Sequence, residues 1–312
     1  MKNKIVVLGG GTGQSILLSG LKKFPFDITS VVSVCDDGKS TGKLRREFNV
    51  PAMGDIRRVL TALSQTEEGF EKVINYRFKT SGELDGHTVG NLLLTAFTDI
   101  YGNMSSAVIE FSKILNMKGK VLPFSDDNVI LMGEMDDGSI IEGEHNITES
   151  NKKIKRVFYK KKPHVNKDVI KSIEESDAII LSMGSLYTSI IPNLLCKDVI
   201  NAIDKSNAKI IYICNIMTQP GETDNFKVSD HINLLNEYLG KRKIDIVITN
   251  SAKISKKIQQ KYETLEQKDL VVVDSKNIKI ENIKKELIKI EDGVIRHDSI
   301  KVGLEIMNIM LR

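Results

Sequence analysis

The chain has 312 residues, 41% hydrophobic and 28% charged, the balance of a folded protein with a large buried core rather than a disordered or fibrous chain. Its 45 basic residues nearly cancel 41 acidic ones, for a formal net charge of +4, which excludes a nucleic-acid footprint and is compatible with an anionic ligand. The three widely spaced cysteines, Cys35, Cys196 and Cys214, exclude a disulfide framework and read as reduced core thiols.

The start, Met1-Lys-Asn-Lys-Ile, runs directly into a strand and leaves no room for a signal peptide. No apolar run reaches the roughly 18 residues that span a bilayer, so a cytoplasmic protein without a membrane or nucleic-acid partner is expected. The apolar run Lys4 to Leu8, ending in Gly9-Gly10-Gly11, predicts a strand buried on both faces, as in a parallel sheet. A helix is predicted over Gln14 to Lys22, with Ile16, Leu17, Leu18 and Leu21 inward, then a second buried strand over Ile28 to Val34. This βαβ unit predicts a right-handed crossover between parallel strands. Residues 55 to 116 read as almost wholly helical, with an amphipathic helix beginning near Gly90-Asn91.

From Lys118 to Lys160 the texture changes. Short β segments at Val129 to Met132, Ile140-Ile141 and Lys155 to Tyr159 surround Asp136-Asp137-Gly138, a type I′ hairpin signal. An antiparallel excursion grafted on the main sheet is expected there. Buried strands are then predicted at Ala178 to Leu181, Lys209 to Cys214, Ile244 to Thr249 and Leu270 to Val273. The Lys- and Glu-rich stretch 253 to 290 reads as a solvated helix face, and a last helix runs from Ser299 to Met310. With no repeat or linker, residues 1–312 read as one Rossmann-like α/β domain: a parallel sheet with helices on both faces and a β excursion at about 118–160.

The polar clusters mostly follow predicted strands, the edge where α/β folds bind ligands. In Gly9-Gly10-Gly11-Thr12-Gly13, residues Gly10, Gly11, Thr12 and Gly13 let a phosphate approach main-chain N–H groups at a helix N-terminus. Gln14 stands where a dinucleotide fingerprint has its last glycine, and no Gly-Lys-Ser/Thr follows, so neither that motif nor a P-loop is present. After the second strand, Asp36 and Asp37 suit ribose hydroxyls or a Mg²⁺ bridging phosphates. Lys39, Lys43, Arg45 and Arg46 are candidates to neutralise phosphate.

Asp55, in Gly54-Asp55-Ile56-Arg57-Arg58, is placed to cap a helix, which leaves Arg57 unexplained. In Gly86-His87-Thr88-Val89-Gly90-Asn91, Thr88 and Asn91 are cleft-facing candidates and His87 reads as structural. Gly184, Ser185, Tyr187 and Thr188 form a second glycine–hydroxyl turn. Asn215, Thr218 and Gln219, in Asn215 to Thr223, suit reading a base or sugar. Arg296, in the segment Gly293 to Asp298, is predicted to close over the cleft and bind a diphosphate bidentately; an ion pair with Asp298 or Glu291 is the alternative.

Taken in order, Gly9 to Gly13, Asp36 to Arg45, Gly54 to Arg57, Gly86 to Asn91, Gly184 to Ser189, Met217 to Thr223 and Arg296-His297 resemble the CofD-like/YvcK family. The closest likeness is to its gluconeogenesis-factor branch, over nearly the whole chain. The resemblance implies a Rossmann-like core, a cytosolic location, binding of UDP-sugars such as UDP-N-acetylglucosamine, and a role in carbon metabolism and cell shape. The sister branch, 2-phospho-L-lactate transferase, joins a nucleotide-activated phospholactate to a deazaflavin. By that likeness Asp36 and Asp37 are metal- or acceptor-side residues and Asn91 an acceptor contact. Lys39, Arg58 and Ser182-Met183 depart from the gluconeogenesis-factor pattern of Gly, Asn and Gly-Pro.

No nucleophile–base pair or catalytic metal spacing is evident, which favours a nucleotide-sugar-binding regulatory protein, with a homo-oligomer allowed. The first alternative is a Mg²⁺-dependent phosphoester transferase, because phosphoryl transfer needs mainly positioning and charge stabilisation. The second is an NAD(P)-dependent oxidoreductase, favoured by the glycine loop and acidic pair and opposed by the missing third glycine.

Overall fold

The computed structural model describes every residue except Met1, Asn151, Asp292 and Gly293, and the side chain of Lys39 lies outside what it describes. The elements in chain order are β1 (Lys4–Gly9), α1 (Gly11–Leu21), β2 (Asp27–Val32), α2 (Lys39–Phe48), α3 (Gly54–Leu63), α4 (Glu68–Asn75), α5 (Val89–Tyr101), α6 (Met104–Ile114) and β3 (Lys120–Pro123). Next come β4 (Leu131–Met135), β5 (Ile140–Glu142), α7 (Glu144–Glu149), β6 (Ile154–Tyr159), α8 (Lys167–Glu174) and β7 (Ala178–Leu181). After a π-type turn at Leu186–Ile190 and a 3₁₀ turn at Ile191–Leu194 follow α9 (Lys197–Lys205), β8 (Lys209–Ile213), α10 (Val228–Tyr238) and β9 (Ile246–Asn250). The chain ends with α11 (Lys256–Glu266), β10 (Glu281–Lys285), β11 (Ile288–Glu291), β12 (Val294–His297) and α12 (Ser299–Met310).

Seven strands form one parallel sheet in the order β10-β9-β8-β7-β1-β2-β3, flanked by helices. The strands at its centre are apolar throughout because both faces are covered: β7 is buried along its whole length, and β1 from Ile5 onward. Strand order reverses between β1 and β7, and that switch point positions the site. The fully buried Gln14 ties β1 to β2, with Nε2 3.0 Å from Val7 O and 2.9 Å from Val31 O. That structural use explains a glutamine where a dinucleotide fingerprint has glycine.

Four expectations are corrected. β3 pairs with β2 in the main sheet, so the antiparallel excursion comprises β4, β5 and β6 alone and starts later than Lys118. Its hairpin turn is not type I′: Gly138 has φ 80 and Asp137 is not among the positive-φ residues. The Gly138 N–H to Met135 O and Met135 N–H to Ser139 O bonds, each 2.9 Å, describe a three-residue loop closed by a left-handed glycine. Leu270 to Val273 makes only single bridges, Leu270 to Met217 and Val272 to Lys227, because neighbouring sheet positions are taken by β8, β9 and β10. Conversely, the stretch 253–290 is not all helix: beyond α11 it contributes the edge strand β10. Ile283 is the one buried residue of that strand, so it carried no alternating apolar signal.

Among the described residues, no helix is long and apolar enough to cross a membrane. The three cysteines are free and buried, as expected.

Candidate functional site

The site lies at the carboxyl ends of β1 and β7. The chain leaves β1 through Gly10, extended at φ −177, and enters α1 at Gly11, φ 65, a left-handed conformation that favours glycine. α1 and the loop after β7 approach so closely that a Cβ on Gly13 would lie 2.9 Å from Gly184 N and collide with the Met183 backbone. Gly13 therefore serves backbone packing, while Thr12 is exposed. Gly184 sits over Gly10 O and Ser189, and its carbonyl accepts from Asn215 Nδ2 at 2.9 Å. The loops after β1, β7 and β8 thus touch one another.

Over this junction lies a cleft of about 220 Å³ whose lining includes Thr12, Gly13, Met183, Asn215, Met217 and Arg296. β12 delivers Arg296. Side chains alternate along a strand, and Ile295 and His297 on either side of Arg296 are buried. His297 Nε2 lies 3.1 Å from the Cys214 carbonyl just beyond β8, where burial depresses the imidazole to about pKa 4, so the neutral ring donates from Nε2. The two carboxylates that sequence offers to Arg296 are engaged elsewhere: Glu291 with Lys289 at 2.9 Å, and Asp298 with the N–H groups of Ile300 and Lys301. Among the described residues no carboxylate lies within ion-pairing distance of Arg296.

A second arm of the site is acidic. Asp55 does not cap α3; its carboxylate turns to the glycine loop, accepts from Gly11 N–H and pairs with Arg58 at 2.7 Å. Burial raises it to about pKa 6 against the opposing pull of Arg58. Glu144, first residue of α7, is pushed up to about 8 by burial and then by Asp36 and Asp55, with a Thr188 hydrogen bond opposing.

Asp36 and Asp37 diverge. Asp36 accepts from Gly38 N–H at 2.9 Å and Thr41 Oγ1 at 3.2 Å, whereas Asp37 accepts from His145 N–H at 2.8 Å. They do not form a chelating pair, and among the described residues no three His, Cys, Asp or Glu side chains are grouped to hold a metal ion.

Several other expected ligand residues are occupied by the protein itself. Arg45 is buried, and its donors reach Asn128 Oδ1 and the carbonyls of Cys35, Asp36 and Val129, which joins α2 to the loop after β2 and leaves none for phosphate. Lys43 is exposed on α2, near His87. Arg57 Nε donates to Asn91 Oδ1 at 3.0 Å and Nη1 to Asn75 Oδ1; its Nη2 has no such partner among the described residues. Thr218 is pinned to Asp269, donating from its N–H and accepting at Oγ1, each at 2.8 Å. Gln219 Nε2 donates to Glu222 Oε1 at 2.6 Å. Ser185 caps the π-type turn by accepting from Thr188 N–H at 3.1 Å, and Tyr187 within that turn is buried.

Sequence reasoning missed Glu144, Arg58 as an ion-pair partner, and Glu222. Glu222 lay inside a quoted motif; Glu144 reaches the site only through the excursion and had no local signal.

A family profile described as 2-phospho-L-lactate transferase CofD matches residues 5–290. Curated relatives named gluconeogenesis factor include one from Halalkalibacterium halodurans, 43% identical over 98% of this chain and 96% of its own. Another, from Bacillus subtilis, is 44% identical over 99% and 98%. A crystal structure of a Bacillus halodurans protein superposes with a TM-score of 0.95 at 42% identity, covering 98% of this chain and 100% of that one.

Proposed function

The chain belongs to the 2-phospho-L-lactate transferase CofD family and is similar over its length to gluconeogenesis factors, and from that premise we propose that it binds a UDP-sugar such as UDP-N-acetylglucosamine as a regulatory protein. The observation that carries this reading is Arg296: a guanidinium without a carboxylate partner among the described residues, across a cleft from the glycine-lined N-terminus of α1. A planar guanidinium, which binds phosphate oxygens bidentately, and a helix N-terminus, which presents free N–H groups, both suit a diphosphate. Asn215 in the loop after β8 lines the cleft, and its buried Oδ1, without a hydrogen-bond partner among the described residues, offers an acceptor for a sugar or base. By the same proposal the protein works in the cytoplasm, in keeping with its reduced cysteines, and couples carbon metabolism to cell-shape maintenance.

The acidic arm supports a second reading, transfer of a phosphoester. The carboxyls of buried Asp55 and partly buried Glu144 are raised to about 6 and about 8, the range in which a carboxyl exchanges protons at neutral pH. A thermal-shift screen of UDP-sugars, GDP, GTP and NAD(P), with and without Mg²⁺, separates the readings. A ligand at 100 times its dissociation constant stabilises by about 2.7 kcal/mol. A UDP-sugar shift without turnover supports the regulator, turnover of a phosphoester supports the transferase, and no shift with any UDP-sugar refutes the first.

A further inference from the structure

Glu222 is 3% exposed and lies in the loop after β8, which also carries the cleft-lining Asn215 and Met217. Its Oε2 accepts from the Ser185 hydroxyl and from Tyr187 N–H at 3.3 Å, and its Oε1 from Gln219 Nε2 at 2.6 Å. Ser185 Oγ already accepts from Thr188 N–H at 3.1 Å and from the Thr188 hydroxyl at 2.8 Å. A hydroxyl has one proton and two lone pairs, so the Ser185 proton goes to Glu222 Oε2. Among the described residues no cation pairs with this carboxylate.

We propose that Glu222 is a positioning residue that latches the turn 185–190 onto the loop 215–223, and that its ionisation sets how well the crevice holds its ligand. This rests on the nucleotide-site reading for the affinity, but not for the latch. The turn it holds carries Ser189 against Gly10 and Gly184, so the latch shapes the wall facing the glycine loop. Burial raises the Glu222 carboxyl to about 7, with the Ser185 and Tyr187 hydrogen bonds opposing. Protonation at Oε1 leaves Oε2 as an acceptor but replaces the charge-assisted bonds from Ser185 and Tyr187 by neutral ones of about half the strength, as Glu222→Gln also does. The groups facing Glu222 are Ser185 and Tyr187 from the turn and Gln219 from its own loop; the Tyr187 phenol is the titratable one, and burial keeps it neutral.

Two variants separate the latch from simple loss of fold. In Glu222→Gln the amide oxygen still accepts from Ser185 and Tyr187, and the Gln219 amide can turn to accept from the new NH₂. Glu222→Ala removes every acceptor. Hydrogen exchange in the ligand-free protein is expected to rise in residues 182–190 and 215–223 for Glu222→Ala and to rise much less for Glu222→Gln, which keeps neutral hydrogen bonds in place of charge-assisted ones.

In calorimetric titration with UDP-N-acetylglucosamine, Glu222→Ala is expected to bind at least roughly tenfold more weakly, about 1.4 kcal/mol. Wild-type affinity should gain between about pH 6 and about pH 8 a component absent from Glu222→Gln. That difference isolates Glu222 from Asp55 and Glu144, which titrate in the same range. Wild-type exchange in Glu222→Ala, or equal pH profiles for wild type and Glu222→Gln, overturns the proposal. If the wild type binds no UDP-sugar, the nucleotide reading fails and the exchange comparison still decides the latch.

Discussion

Arg57 Nε donates to Asn91 Oδ1 at 3.0 Å, both side chains buried, and so joins α3 to α5. The pair belongs to a polar chain: Asn91 Nδ2 lies 3.4 Å from Ser40 Oγ, which lies 3.0 Å from His87 Nδ1. Burial lowers Arg57, with Arg58 and Arg77 adding to it, yet only to about pKa 10, so the guanidinium stays charged. Asn91→Leu leaves a buried charge short of an acceptor and should cost about 1–3 kcal/mol in urea unfolding. Asn91→Asp keeps the acceptor and adds charge, so it should be far less damaging. Equal losses in the two variants would show that the hydrogen bond to Arg57 contributes nothing.

Gly10 and Gly11 are adjacent but should respond differently to alanine. Gly11 is held at φ 65, where a Cβ costs roughly 1–2 kcal/mol, so Gly11→Ala should lower stability even without ligand. Gly10 is extended at φ −177, and its Cβ would meet Asp55 Oδ2 at 2.9 Å, pressing on the carboxylate that accepts from Gly11 N–H. Gly10→Ala should therefore disturb ligand binding more than folding. Chemical unfolding of the two ligand-free variants checks this, and an undiminished Gly11→Ala would contradict it.

Arg45 separates scaffold from ligand contact. Its donors all end on protein acceptors, and lysine cannot copy that fan. Arg45→Lys should lower the melting temperature by several degrees while the affinity of the folded protein for a UDP-sugar changes little. Unchanged melting with a large loss of affinity would return Arg45 to the phosphate.

Glu144 gives a pH test with a definite sign. Burial, then Asp36 and Asp55, raises its carboxyl from 4.5 to about 8. Between those values the folded protein holds a proton that the unfolded chain has lost, so this group makes stability fall as pH rises. Glu144→Gln mimics the protonated form: it should match wild type near about pH 4.5 and become progressively the more stable of the two towards about pH 8. Parallel melting curves across that range would contradict the burial of this carboxyl.

Much of this was legible in the sequence where local chemistry and chain order agree. The apolar runs Ile5 to Leu8 in β1 and Ala178 to Leu181 in β7, the glycine loop between β1 and α1, and α12 from Ser299 to Met310 announce themselves. β10 did not, because an edge strand with one buried side chain, Ile283, has no period to detect. Arg45 looked like a phosphate ligand because sequence shows charge and not partners; Asn128 and the Val129 carbonyl, which take its donors, are brought near only by folding. Glu144 stayed hidden for the same reason: Asp36, Asp55 and Thr188, which shift its carboxyl, all lie outside its own segment.

The central claim is that Arg296 and the N-terminus of α1 hold the diphosphate of a UDP-sugar across the cleft between them. Its most direct test is calorimetric titration of wild type, Arg296→Ala and Arg296→Lys with UDP-N-acetylglucosamine. Arg296→Ala should weaken binding at least roughly tenfold, about 1.4 kcal/mol, and Arg296→Lys should recover only part of it, with little change in melting temperature of the ligand-free protein in either. Wild-type affinity in Arg296→Ala would place Arg296 outside the site and contradict the account.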